Sequence, residues 1–296
     1  MDPADGWRIF MLSLVSLVGF WFVVFYLLVW YWRVRMRHVL ESTKPHENDV
    51  YWCARNVVGI IHAVIISIIT VPGAFTYLGA PDHLKFCSTS YIGTCAPGPE
   101  DVWCRGGGSM DAARCTLIAF AGLVFVAFTL SDLVISLVHR LFTVDFLIHH
   151  LAFATAGLII RGNCMLPFNA AILMAMEVST PFLNYMLLVR NRGPKYTSAV
   201  QVHGSCFFVL YILFRLGLNT YGAILLFMHR ADALPAGMPQ WQAWFLYVAF
   251  AAGTVLQFFW FPSIMNIFGS KLMALIQGED KTAANGNGAH YSQLSS

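Results

Sequence analysis

Charge is what this sequence has least of. Asp, Glu, Lys and Arg make up 11% of its 296 residues, against roughly 25% in soluble domains, while 58% of the chain is hydrophobic and 15% aromatic. That balance excludes a soluble globular domain and a disordered or collagen-like chain. Seven cysteines in 296 residues are too few for a small disulfide scaffold. A Gly-rich nucleotide loop, an Asn-x-Ser/Thr acceptor and an obvious internal repeat are all missing. The formal charge of +3 is no nucleic-acid footprint. What remains is an all-α polytopic membrane protein.

A membrane-spanning helix needs about 20 mostly apolar residues, at about 1.5 Å each. No charge occurs between Arg8 and Arg33, between Arg55 and Asp82, or between Asp232 and Lys271, which places the first, second and seventh spans. Sparser charges allow four more, at about 112–138, 145–161, 164–190 and 198–228, giving about seven. The first span is too long for a signal-peptide core and is followed by Arg33, Arg35 and Arg37, so it is expected to be a retained signal anchor. With the N-terminus outside, the cytosolic loops and tail hold most of the Lys and Arg, including Arg55, Arg140, Arg190 and Arg192, as the positive-inside rule asks. The expected organisation is an anchor helix and basic loop over 1–49, a helical domain over 50–270 and a disordered cytosolic tail over 271–296.

The external loop, about 80–111, is rich in Gly and Pro and contains Cys87, Cys95 and Cys104, with Cys115 just beyond it. On the lumenal side these are disulfide candidates, with three possible connectivities if all four pair; the alternative is a buried Cys115 and a free loop thiol. Their spacing, without clustered His, does not make a zinc site. Near the C-terminus, Tyr291-Ser-Gln-Leu294 has the form of a tyrosine-based sorting signal, a short pattern that arises by chance as well.

Ionisable side chains inside a bilayer cost on the order of 2.5–3.5 kcal/mol each on insertion scales, so they tend to face a bundle interior. On the third span Asp132, Ser136 and His139 share a face; near the cytosolic end, Asp132 can equally be solvated. The fourth span opens with Asp145 and carries His149-His150, with Asp145 and His149 at i, i+4. A partly buried imidazole oriented by a carboxylate can act as a general base, and two interfacial histidines bonded to backbone and headgroups are the bland alternative. Adjacent histidines point about 100 degrees apart on a helix and clamp one metal ion poorly. On the fifth span Pro181 removes the hydrogen bond due to the carbonyl of Glu177, so a kink and a carboxylate coincide, with Asn184 on the same face. Glu177 is expected to line a cavity; a protonated bridge between helices is the alternative. On the sixth span Tyr211, Arg215 and Asn219 recur every four residues, with Glu177 the expected partner of Arg215. His62 and His203 are expected to be ordinary, satisfied histidines.

The run from Ser131-Asp132 through His139, Asp145, His149-His150, Gly157-Leu158, Asn169, Glu177-Val-Ser-Thr-Pro181-Phe182 and Asn184 resembles the TLC-domain family. That family includes ceramide synthases, translocon-associated membrane proteins and small TLC-domain proteins tied to lipid homeostasis. The pattern is most similar to the last set, over about residues 50–270. The resemblance implies a TLC-type helical bundle in the endoplasmic reticulum, with the plasma membrane as an alternative, and membrane lipids as partners. By analogy with the synthases it implies that His149 and His150 lie in a membrane cavity and serve acyl transfer from acyl-CoA, in those enzymes to a sphingolipid long-chain base. The synthases also carry a His-Asp with a second Asp three residues on. Here that stretch reads Met176-Glu177-Val178-Ser179-Thr180, without either aspartate.

Two functions follow from the sequence. The first is a lipid-binding TLC protein acting on membrane lipid composition. The second is an acyltransferase with His149 or His150 as base, Glu177 assisting, and Asp132, His139, Asp145, Asn184, Tyr211, Arg215 and Asn219 as substrate-binding candidates, with acyl-CoA as co-substrate and no resident cofactor. A retinal protein is disfavoured because the seventh span has no mid-span Lys.

Overall fold

The computed structural model describes residues 3–36, 41–80, 85–86, 109–163, 165–231, 233–234 and 238–269, except for the side chains of 3–7, 36, 109–116, 162 and 269. Helix α1 covers Pro3–Tyr31 and continues as a π-turn over Trp32–Met36. A short 3-10 turn, Pro45–Asn48, leads into α2, Val50–Leu78; α3 is Ser109–Val138 and α4 Val144–Gly162. The fifth span is broken into α5, Pro167–Ala175, a 3-10 turn at Met176–Ser179, and α6, Thr180–Val189. The sixth is α7, Thr197–Leu210, a π-turn at Tyr211–Leu218, and α8, Asn219–Met228. Helix α9, Gln240–Ile264, ends the described bundle with a π-turn over Met265–Gly269. No strand occurs among the described residues, and seven helical segments are long and apolar enough to cross a membrane.

Helix α2 is the hub, packing on α1, α3, α5 and α6. Its start lies upstream of the expected one. Asp49 caps it by accepting from the backbone N–H of Tyr51 and Trp52, so Arg55 stands inside the helix instead of the preceding loop. Side-chain caps of this kind contribute about 1 kcal/mol. The core joins Trp21 and Phe25 of α1 to Ala54, Val58 and Ile66 of α2 and Phe168 and Ile172 of α5. The outer faces are apolar too. Leu12, Val15, Val23 and Leu27 of α1 and Trp244, Val248, Val255 and Phe259 of α9 are exposed. Apolar patches so extensive are foreign to a water-facing surface and suit a hydrocarbon one.

Two local features aim the polar residues. At the end of α3, Arg140 adopts φ 56°, Leu141 N–H donates to the Ser136 carbonyl at 2.8 Å and Arg140 N–H to that of Leu137 at 3.4 Å. This is the left-handed C-terminal cap usually built on glycine, and it turns the chain so that α4 folds back along α3. In the fifth span, the Glu177 carbonyl, denied a donor by Pro181, accepts instead from the N–H of Thr180. The kink expected from Pro181 is thus a tightened 3-10 turn.

The end of the bundle carrying residues 41–49 is locked to the connection after α6. Glu47 is fully buried there. Its carboxylate accepts from Ser42 Oγ at 2.6 Å, Asn191 Nδ2 at 2.7 Å and Arg190 Nε at 3.1 Å. Arg192, also buried, donates to the carbonyls of Glu47, at 2.7 Å, and Leu188. Arg190 and Arg192 therefore do more than mark a cytosolic loop.

Candidate functional site

A cavity of about 360 Å³ lies between α2, α3, α4 and the kinked fifth and sixth spans. Its α2 wall is made by Trp52, Arg55, Asn56, Gly59 and His62; with Arg55 and Asn56 forming one step, these recur three or four residues apart and so share a helix face. From Trp52 to His62 this wall runs about 15 Å into the bundle, at about 1.5 Å per residue.

The centre of the opposite wall is Asp132, 7% exposed. It receives Arg55 Nε on Oδ1 at 2.8 Å and Arg55 Nη2 on Oδ2 at 3.0 Å, a bidentate pairing that suits the planar guanidinium. His150 Nε2 lies 3.0 Å from Oδ2 of the same carboxylate, and His150 Nδ1 lies 3.1 Å from the Phe146 carbonyl. Asp132 and the Phe146 carbonyl thus flank the His150 ring on its two nitrogen sides. The Arg55 guanidinium also lies 4.3 Å from the centre of the Phe146 ring. Asp132 is therefore paired and buried, not solvated.

This arrangement divides the two histidines. The carboxylate that orients an imidazole is Asp132, and the ring it holds is His150. Asp145 is exposed in the first turn of α4 and forms no ion pair with His149; its charge there suits the helix dipole. His149 faces the cavity, packs at 4.4 Å on Phe153, and makes no hydrogen bond to any described residue. A nitrogen on this ring is free to accept a proton from a bound molecule.

Glu177, Thr180, Asn184 and Arg215 complete the cavity. The expected Glu177–Arg215 pair does not form. Arg215 donates to Ser179 Oγ at 2.9 Å and Thr180 Oγ1 at 3.0 Å, while the Glu177 carboxylate makes no hydrogen bond within the described chain. The π-turn explains why Arg215 parts from its expected companions: i→i+5 bonding widens the turn and breaks the every-fourth-residue face. Tyr211 instead donates to the Gln257 carbonyl at 2.7 Å and Asn219 to Thr254 Oγ1 at 3.2 Å, both toward α9. Asn184 is loosely held, its Nδ2 lying 3.5 Å from the Asn56 carbonyl.

His139 also leaves the group. Its ring stacks on Tyr51 at 3.9 Å and its Nε2 lies 3.3 Å from Tyr26 Oη, outside the cavity. Burial holds this imidazole below its ordinary value; Asp49 opposes that and Arg33 adds to it. His62 departs from expectation in another way. It is 1% exposed, and among the described residues neither ring nitrogen has a hydrogen-bond partner; the ring stacks on Phe128 at 3.8 Å. His203 is satisfied as expected, Nδ1 lying 2.8 Å from the Ala199 carbonyl.

Two apolar pockets adjoin the polar cavity. One, about 70 Å³, lies between α3, α4 and α5, and Phe125 and Phe153 belong to both its wall and the cavity's. The other, about 40 Å³, reaches α9, shares His149 and Phe153 with the cavity, and includes Asn219. Among the described residues no three His, Cys, Asp or Glu side chains gather as a metal site. Cys87, Cys95 and Cys104, the side chain of Cys115, and the tail with Tyr291 lie outside the described residues. Arg55, Asn56 and Gly59 are the site residues that sequence reasoning missed. Their signal was present: the face carrying His62 continues upstream through Gly59, Asn56 and Arg55 to Trp52.

Comparison with known proteins agrees with this architecture. No curated protein and no solved structure matches the chain significantly. The TLC-domain family profile matches residues 61–266, which takes in every element of the cavity except the first turns of α2. This multi-pass membrane protein belongs to the TLC-domain family.

Proposed function

We propose that this protein binds a membrane lipid or its acyl chain inside the bundle and acts in membrane lipid homeostasis from an endomembrane, that of the endoplasmic reticulum. The observation that carries the reading is the shared wall. Phe153 lines the polar cavity and both apolar pockets, so one molecule with a polar head and an apolar tail meets matching surroundings at both ends. A cavity of about 360 Å³ falls in the size range of small-molecule sites, about 300–1,000 Å³. The test is lipid extraction and mass spectrometry on protein purified in mild detergent, comparing the wild type with Ala156→Trp, which fills both apolar pockets. The reading expects near-stoichiometric lipid in the wild type and little in the variant. Wild-type protein that is folded and lipid-free would overturn it.

A second reading is favoured by His149 alone. Its unpartnered imidazole stands where the polar cavity meets an apolar pocket, the place for a base acting on an amine or hydroxyl acceptor. The acceptor oxygen or nitrogen would lose its proton to His149 while attacking the thioester carbonyl of acyl-CoA, and the departing thiolate would recover that proton. Labelled acyl-CoA offered with long-chain bases and lysolipids tests this. Product formation lost in His149→Ala supports the enzyme; transfer that survives His149→Ala/His150→Ala removes it.

A further inference from the structure

The charges of the cavity wall specify more than a lipid. Arg55 and Asp132 neutralise one another through two hydrogen bonds. The remaining two charged side chains do not. Among the described residues Arg215 donates only to the neutral hydroxyls of Ser179 and Thr180, which leaves its Nη1 without a partner there. Glu177 lines the same cavity, yet among the described residues it has no hydrogen-bond donor and stays beyond ion-pair distance of Arg215. A cation and an anion held apart inside a membrane bundle are costly unless each meets its complement. Because the formal charges of the wall cancel, the complement is a molecule that also carries both signs.

An independent observation lies at the inner end of the cavity. His62 is buried, lines that end and, among the described residues, has a hydrogen-bond partner on neither nitrogen. A neutral imidazole presents one donor and one acceptor, and buried polar groups are rarely left without partners.

Resting on the lipid-binding reading above, we propose that the cavity takes the zwitterionic headgroup of a membrane phospholipid, its phosphate at Arg215 and its ammonium at Glu177, with His62 bonding a hydroxyl or ester oxygen. Arg is suited to the phosphate because its planar fork offers several N–H donors at once. The tails would then leave past Phe153 into the apolar pockets.

The experiment measures binding of short-chain phosphatidylcholine, phosphatidylethanolamine, phosphatidylglycerol and diacylglycerol, and of free glycerophosphocholine, to full-length protein in detergent. Wild type is expected to prefer the two zwitterionic lipids over phosphatidylglycerol by about tenfold, the scale of one charge-assisted contact. Glu177→Gln should erase that preference in favour of phosphatidylglycerol. Arg215→Gln should weaken all phosphate-bearing lipids toward the level of diacylglycerol, and Arg215→Lys should restore part of the loss while controlling for folding. Equal binding of every lipid overturns this inference and leaves the lipid-binding reading standing. Failure to bind any lipid removes both. Free glycerophosphocholine binding as tightly as the lipid overturns the phospholipid assignment.

Discussion

Arg55 and Asp132 face each other across the cavity with two hydrogen bonds, at 2.8 and 3.0 Å, and so fasten the second helix to the third. Removing one partner of a buried pair leaves the other charge uncompensated, at a cost of about 3–5 kcal/mol. Arg55 is 23% exposed, which moves the expectation to the lower end of that range. Arg55→Ala should therefore lower the melting temperature clearly in detergent. An apolar replacement of both, Arg55→Met with Asp132→Leu, should be milder than the sum of the single changes. Additive losses in that double-mutant cycle would show that the pair is not coupled.

The unequal surroundings of the adjacent histidines give a second expectation. His150 has Asp132 on one side and the Phe146 carbonyl on the other, whereas His149 has only ring contacts. His150→Ala should destabilise the fold by about 1–3 kcal/mol, the scale of hydrogen bonds to charged groups. His149→Ala should stay within about 1 kcal/mol of wild type. Thermal unfolding of both variants decides the matter, and equal losses would contradict the division.

Arg140 is exposed, and its side chain makes no hydrogen bond or ion pair with the described chain, yet its backbone sits at φ 56°. An L-residue pays about 1–2 kcal/mol in the left-handed region, and glycine pays none. Glycine has more unfolded-state entropy to lose, by about 0.5–1 kcal/mol, so Arg140→Gly should stabilise by about 0.5–1 kcal/mol. A loss of stability in the same melting assay would show that the arginine has a role beyond the cap.

Much of this was legible in sequence for identifiable reasons. Seven spans and the break at Pro181 follow from hydropathy and from a missing N–H, which are local properties. The Arg55–Asp132 link was not legible, because a charge at the edge of a span looks the same whether it marks topology or turns inward. Helical spacing also misled on the sixth span: grouping Tyr211, Arg215 and Asn219 assumes an α-helix, and the π-turn over Tyr211–Leu218 parts them. For His149, an i, i+4 neighbour on its own helix was a weaker guide than Asp132 on the helix next to it, which selected His150.

The Glu47 clamp makes stability depend on acid. Burial pushes this carboxyl upward, but the bonds from Ser42, Arg190 and Asn191 outweigh that and hold it below its ordinary value of 4.5. A carboxylate with a depressed folded-state value contributes stability that is complete above the unfolded value and is lost as pH falls through the folded one. Wild type should thus exceed Glu47→Gln in melting temperature at pH 7, and the gap should close below about pH 4.5. A gap unchanged between pH 7 and pH 3 would contradict the clamp.

Gly59 offers a way to alter the cavity without dismantling the bundle. A Cβ there would lie 2.6 Å from Asn184 Nδ2, too close to be tolerated in place. Among the described residues, however, the one hydrogen bond of the Asn184 side chain is its long contact with the Asn56 carbonyl, so it can swing aside at little cost. Alanine also favours the helix interior over glycine by up to about 1 kcal/mol. Gly59→Ala should therefore melt at or slightly above the wild-type temperature. The displaced Asn184 amide has only the cavity to enter, and the lipid recovered with purified protein should fall several-fold. Removing the amide in Gly59→Ala/Asn184→Ala should restore it. Lipid content untouched by the single change would mean that Asn184 does not border the occupied space, and a loss that persists in the double variant would place the obstruction at the new methyl group itself.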